Sequence, residues 1–221
     1  MPPPPKPARA LRIELPQTLP VFPLDGALLL PGAELPLRIF EPRYLNMLDD
    51  VMGGARMIGM VQTSGGDRAR PGLARIGCAG RVTRFRDGSE GDYLITLTGV
   101  CRFRIAEELD LPTPYRQVRA DFGPFTDDLE PGRRTGGERT RLAKALRAYL
   151  NRRDLDVDES ALNAAPLDEL VAGLAMSLPF SPAEKQALLE APDRADRQDV
   201  LTALLEIDAL GDDDGGPETL Q

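Results

Sequence analysis

Histidine is absent from all 221 residues. Its absence removes the usual general base near neutral pH and the commonest metal ligand, which excludes Ser-His-Asp and Cys-His hydrolases and histidine-dependent zinc sites. Cysteine is nearly absent. Cys78 and Cys101 lie in apolar, strand-like segments outside any CxxC spacing, so buried reduced thiols are expected rather than a disulfide or a metal site. Lysine occurs only at positions 6, 144 and 185, never behind a glycine-rich turn, so no phosphate-binding loop of the Gly-rich, Lys-Ser/Thr kind can be assembled. A Ser-Lys hydrolase would need a buried lysine, whereas Lys144 and Lys185 fall in charge-rich helical stretches and read as solvated surface. No apolar run approaches the roughly 20 residues of a membrane helix. The N-terminal MPPPPKPARA lacks the apolar core of a secretory signal and reads as a flexible polyproline-like leader over residues 1–18, with the cytoplasm as the expected location.

What is present is the composition of a globular protein, 42% hydrophobic and 28% charged, with a net charge of -8. The charge is unevenly spread. Basic residues prevail between Arg56 and Arg104, while the chain from Glu206 onward is only acidic.

From Leu19 to about Phe122, short β-branched or aromatic runs punctuated by Gly, Pro and Asp predict a mostly β region, residues 19–122. Between Asp92 and Glu107, Tyr93, Ile95 and Leu97 alternate with Leu94, Thr96 and Thr98. After Gly99, Cys101, Phe103 and Ile105 alternate with Arg102 and Arg104, which predicts two antiparallel strands. Ile76 to Arg86 makes another strand, turned into the next by the DGSEGD loop. One helix interrupts this region: Tyr44, Leu45, Met47, Leu48, Val51 and Met52 recur at helical spacing after Pro42, with Gly53-Gly54 as the stop. Residues 123–137, poor in apolar side chains, read as a linker. Residues 138–211 read as about four helices, one opened by the capping box Ser181-Pro182-Ala183-Glu184. Residues 212–221 form an acidic tail expected to be disordered. The class is thus α+β.

Chemistry is hard to find. The carboxylate pairs Asp49-Asp50 and Asp127-Asp128 are sequence neighbours, which point in different directions on a helix and are usually solvated. No catalytic residue, cofactor or metal is expected, and what remains is surface for recognition. An exposed sheet edge beside an apolar groove can take an extended peptide. Phe40, Tyr44, Met47, Met52, Met57 and Met60 are the candidates for such a surface, methionine being adaptable to varied apolar ligands, although methionines at this spacing also commonly fill core gaps. An alternative is a nucleic-acid face formed by Arg81, Arg84, Arg86, Arg102 and Arg104, with Phe85 and Phe103 available to stack; the overall charge disfavours it.

An ordered series of motifs runs through the chain: Leu19-Pro20-Val21-Phe22-Pro23-Leu24, Leu30-Pro31-Gly32, Leu35 to Tyr44 (LPLRIFEPRY), Ile76 to Gly80, Tyr93-Leu94-Ile95, Leu97-Thr98-Gly99, Arg102 to Ile105, Leu178-Pro179-Phe180 and Glu184 to Glu190. This series resembles the Lon N-terminal, or substrate-binding, domain family from Leu19 to Leu210. The resemblance implies a PUA-like β-barrel followed by a small helical bundle. It also implies a non-enzymatic module that binds unfolded or degron-bearing polypeptides, an adaptor or chaperone-like factor in protein quality control with a Lon protease as a possible partner. PUA-like barrels elsewhere hold RNA, which is the second ground for the alternative. No Walker-type loop or Ser-Lys protease region accompanies the motifs, so a stand-alone domain is expected. Pro23, Pro31, Gly32, Pro36 and Arg38 then read as architecture: prolines lack the N–H and belong at strand starts and sheet edges, where they end pairing.

Overall fold

The structure is a computed structural model that describes residues 14–67, 70–130, 139–155 and 164–210. The leader 1–18 is described only from residue 14, the linker 123–137 only to residue 130, and the tail 212–221 lies outside the described residues.

Eight strands are described: β1 Thr18–Pro23, β2 Glu34–Ile39, β3 Met57–Val61, β4 Thr63–Asp67, β5 Arg70–Leu73, β6 Ile76–Asp87, β7 Tyr93–Leu109 and β8 Gln117–Asp121. Five of them close a ring. β7 pairs with β6 and, through its C-terminal half, with β8; β8 pairs with the start of β1; the end of β1 runs parallel to β3; and β3 returns to β6. β2 adds to the N-terminal half of β7 as an edge strand, with Pro36 opposite Thr96. Prolines thus mark places where pairing changes or ends: Pro20 where β1 passes from β8 to β3, Pro36 on the edge, and Pro42 in the first turn of helix α1 (Pro42–Met52). β4 and β5 form a separate hairpin that the apolar pattern does not announce; Gly65 and Gly66 carry φ angles of +76° and +94°, which glycine adopts without strain.

β7 is one 17-residue strand and not the expected pair. Gly99 does not turn the chain. A Cβ there would stand 2.0 Å from the Leu30 carbonyl oxygen, and the Gly99 backbone exchanges hydrogen bonds with Gly32 and Ala33. The glycine lets the Leu30–Ala33 loop lie directly on the strand.

Phe103 fills the centre of the ring with Leu19, Val21, Met57, Val61, Ala79 and Val118. Gly59 and Gly77 make room for it, since a Cβ at either would come within 2.8 Å of its ring. Outside the ring a second, larger cluster joins α1 and the 28–30 loop to the helical region. That region holds α2 Arg139–Arg152, α3 Leu167–Ser177, α4 Pro182–Glu190 and α5 Arg194–Leu210. The capping box is formed as expected: Ser181 Oγ accepts from Glu184 N at 3.3 Å and Glu184 Oε2 accepts from Ser181 N at 2.7 Å. Residues 123–129 are a short 3-10 helix with Phe125 buried, so this part of the expected linker is packed structure.

Candidate functional site

The ring and the helices meet along a buried polar junction that borders a groove. They meet at Arg102, whose side chain is 4% exposed. Its Nε and Nη2 donate to the two carboxylate oxygens of Asp128 at 2.9 and 3.0 Å, and Nη1 and Nη2 donate to the carbonyls of Leu189 in the last turn of α4 and of Ala191 and Pro192 just beyond it. The guanidinium also lies 4.7 Å from the Phe125 ring centre. Beside it, Arg197 is buried on α5 and donates from Nε to the Leu188 carbonyl; burial, assisted by the Arg102 charge, pulls its pKa down to about 10. Three further ties fix the start of α4: Gln62 Nε2 to the Pro182 carbonyl at 2.9 Å, Lys185 Nζ to the Gly26 carbonyl at 2.7 Å, and Gln186 Nε2 to the Ile76 carbonyl at 3.1 Å. Lys185 is therefore buried, contrary to expectation, because its ammonium finds a fixed acceptor in the 26 loop.

Where ring and helices diverge they leave a groove of about 1160 Å³. One wall is β2 and the loop before it, including Pro31, Leu35 and Pro36; the opposite wall is α3, including Ala172 and Met176. Two β-bulges build the floor. The pairing of β6 with β7 skips one residue between Ala79 and Gly80 and another between Val82 and Arg84, which leaves Val100 and Thr83 unpaired and turned to the groove. Thr83 Oγ1 lies 2.9 Å from Thr98 Oγ1. Leu129 closes one end; Glu130 and Glu169 stand exposed on the rim, and Arg194 pairs with Asp168 at 2.8 Å. A groove with apolar wall residues set among charged and hydroxyl side chains suits a side chain-bearing ligand.

Most of the sequence candidates for a binding surface are elsewhere. Tyr44, Met47, Met57 and Met60 are no more than 5% exposed: Met47 and Tyr44 form the inward face of α1, Met57 points into the ring, and Met60 joins the outer cluster. A side chain so enclosed cannot meet a ligand while the core is closed. Met52 is half-buried, and only Phe40, 67% exposed, stands free.

The arginine face is not assembled either. Arg102 is interior, and Phe103 is fully buried and unable to stack on a base. Arg84 pairs with Glu34 at 3.5 Å and Arg104 with Asp121 at 4.0 Å, while Arg81 lines the groove and Arg86 is exposed. Phe85 packs against Tyr93 with ring centres 4.7 Å apart. Asp49 and Asp50 accept the hydroxyls of Tyr93 and Tyr115, and Asp128 serves Arg102, so these three carboxylates are structural partners, while Asp127 is exposed. Arg38 anchors the end of β2 to the turn before β7, donating to Glu90 at 2.7 Å and to the buried Asp92, whose carboxyl it holds below the usual range.

Both cysteines are free and buried. Burial pushes both thiols up, Cys101 to about 12, so neither is a nucleophile at neutral pH. Among the described residues no group of three or more Cys, Asp or Glu side chains could hold a metal ion, and no helix is long and apolar enough to cross a membrane. A second, smaller concavity of about 470 Å³ is polar; there Glu108 accepts from Arg116 and Arg70, and Arg116 first among them lowers its pKa to about 2.

Residues 18–206 match the family described as the ATP-dependent protease La (LON) substrate-binding domain. The chain is similar to Lon protease of Desulfosudis oleivorans, 27% identical over 212 residues that make up 90% of this chain and 25% of that protein. It is similar to Lon protease 2 of Myxococcus xanthus at 27% over 201 residues, 87% of this chain and 24% of the relative. The chain thus spans about a quarter of the length of these relatives. Among solved structures, a Lon N-terminal domain protein from Xanthomonas campestris superposes with a TM-score of 0.60 at 26% identity, over 84% of this chain and 97% of the other. The N-terminal domain of Mycobacterium avium complex Lon protease shares the fold, with a TM-score of 0.56 at 16% identity over 85% and 97% of the two chains. A closed five-strand ring, helices docked on it and this match over most of its length agree: the chain belongs to the Lon substrate-binding domain family.

Proposed function

We propose that this chain is a non-enzymatic polypeptide-binding module whose ligand lies in the groove between the ring and α3. The observation that carries the proposal is the groove itself, about 1160 Å³, walled by Leu35, Pro36, Ala172 and Met176 and floored by two bulged residues. Its apolar walls suit side chains that an unfolded or degron-bearing polypeptide exposes and a folded one hides. Phe40, exposed on the loop after β2, is a further contact for such a chain. In this reading the protein acts as an adaptor or chaperone-like factor in protein quality control, in the cytoplasm, with a Lon protease as its partner.

The test is fluorescence anisotropy of the purified protein with a labelled, permanently unfolded polypeptide (reduced, carboxymethylated lactalbumin) and, separately, a short single-stranded RNA, each at low and moderate salt. Polypeptide binding that persists at moderate salt and falls at least tenfold in Met176→Asp is expected. RNA binding that drops steeply with salt, as phosphate contacts release counterions, together with no polypeptide binding, would overturn the proposal.

A further inference from the structure

We infer that residues 1–13 of this chain are an occupant of the groove and compete there with foreign polypeptide. The inference rests on the groove being the polypeptide site. The segment MPPPPKPARALRI carries Lys6, Arg9 and Arg12 and no acidic residue, in a chain whose net charge is -8. The rim of the groove offers the opposite charge: of the five carboxylates that line it, Glu34, Asp128 and Asp168 pair with Arg84, Arg102 and Arg194, and Glu130 and Glu169 stand exposed. A run of four prolines favours the extended polyproline conformation, which binds apolar clefts without losing much conformational entropy. Lys6, Arg9 and Arg12, three residues apart, recur on one edge of such a three-residue-per-turn helix and can face the acidic rim while Pro and Leu11 face the walls.

The anchor of the segment is at the right place. Leu15 packs against the apolar cluster of the ring, as do Ala120 and Phe122, and the Gln17 carbonyl accepts from Ala120 N. Phe122 leads into the 3-10 helix Gly123–Leu129, whose last residue is a groove wall. Those seven residues are kinked at Phe125 and span on the order of 14 Å at about 2 Å per residue. Thirteen residues in the polyproline conformation reach about 40 Å at 3.1 Å per residue. A tether this short gives an effective concentration on the order of 1 mM, so a segment with even a weak intrinsic affinity, about 0.1 mM, would lower the apparent affinity for a competitor about tenfold.

The experiment uses the whole chain and the same labelled, carboxymethylated lactalbumin. Lys6→Gln/Arg9→Gln/Arg12→Gln is compared with the unaltered protein, and a labelled synthetic peptide of residues 1–13 is titrated against the triple variant. The expected result is about tenfold tighter lactalbumin binding by the triple variant. The peptide is expected to bind that variant, to be displaced by lactalbumin, and to bind poorly once Glu130→Lys/Glu169→Lys is added. Equal lactalbumin affinities with no peptide binding would overturn self-occupancy while leaving the proposed function intact. Peptide binding with no lactalbumin binding to either protein would remove the proposed function and keep the groove as the leader's site. A gain that disappears on dilution, with leader-dependent dimers in sedimentation, would overturn occupancy within one chain in favour of exchange between copies.

Discussion

The interior of the ring and its junction with the helices are both closed to water, yet they are built from opposite chemistry. Inside the ring the buried side chains around Phe103 are all apolar, and Gly59 and Gly77 supply the space. At the junction the buried groups include Arg102, Lys185, Arg197, Gln62, Gln198 and Thr202. Apolar burial is strong and non-directional, so it drives collapse without choosing an orientation. Buried ions and amides contribute little net stability but tolerate only the arrangement that satisfies them. Arg102 meets three carbonyls at the end of α4 together with Asp128, and only one placement of that helix offers them. The apolar clusters account for stability; the junction fixes where the helices stand, and so the width of the groove beside it, which Asp128 and Arg194 line.

The sharpest break of this contrast is Phe103→Ala. It empties the centre of a ring where Gly59 and Gly77 carry no side chain to fill the space, and is expected to cost about 3–5 kcal/mol, read as a lower urea midpoint. A loss below about 1 kcal/mol would mean that the ring is not an independent core. Next comes Asp128→Ala, expected to cost about 3 kcal/mol because it strands the buried Arg102 charge. The informative partner is Arg102→Met/Asp128→Leu. It is expected to recover most of that stability while weakening polypeptide binding and speeding amide exchange in α4. Recovery of both stability and binding would show that the ion pair does not set the groove.

The cysteines refine the same comparison by rate. Cys101 Sγ lies 3.2 Å from the Phe125 carbonyl, at the junction, while its thiol is pushed up to about 12 by burial. Labelling by a thiol reagent at pH 8 is expected to require opening of the structure in the unaltered protein. In Arg102→Met/Asp128→Leu one thiol is expected to label at least tenfold faster than the other. Cys78 belongs to the outer cluster that packs on the helices, so equal rates for both thiols would mean that the junction and that cluster open together.

How much of this was legible in the sequence divides along the same line. Local signals survived: the helix after Pro42, the Ser181–Glu184 capping box and the prolines at edges each depend on neighbours in the chain. Signals that depend on distant neighbours did not. Gly99 reads equally as a turn or as a place for close approach, and the Leu30 carbonyl that decides it arrives from 69 residues away in sequence. Alternation also cannot distinguish one long strand from two, so the sequence of β7 reads as a pair. The methionines around α1 have one periodicity whether they face a ligand or the core. Arg102 and Lys185 look like surface charges because their acceptors lie 87 and 159 residues away. The groove has no local signature, since its floor includes two bulges visible only in the pairing of β6 with β7.

The smallest expected effect concerns an ion-pair cluster that faces solvent, unlike the one at the junction. Glu108, 30% exposed, accepts from Arg116 and Arg70, and its pKa falls to about 2 from an unfolded value of about 4.3. A carboxyl depressed in the folded state contributes stability that is fully present above the unfolded value and is lost as pH falls towards 2. With solvent screening its worth is about 1 kcal/mol. Glu108→Gln should therefore lower the urea midpoint at pH 7, less at pH 4, and leave it unchanged near pH 2. A difference that stays constant across that range would assign the effect to packing of the Glu108 stem, and the charge contrast between the two clusters would not hold.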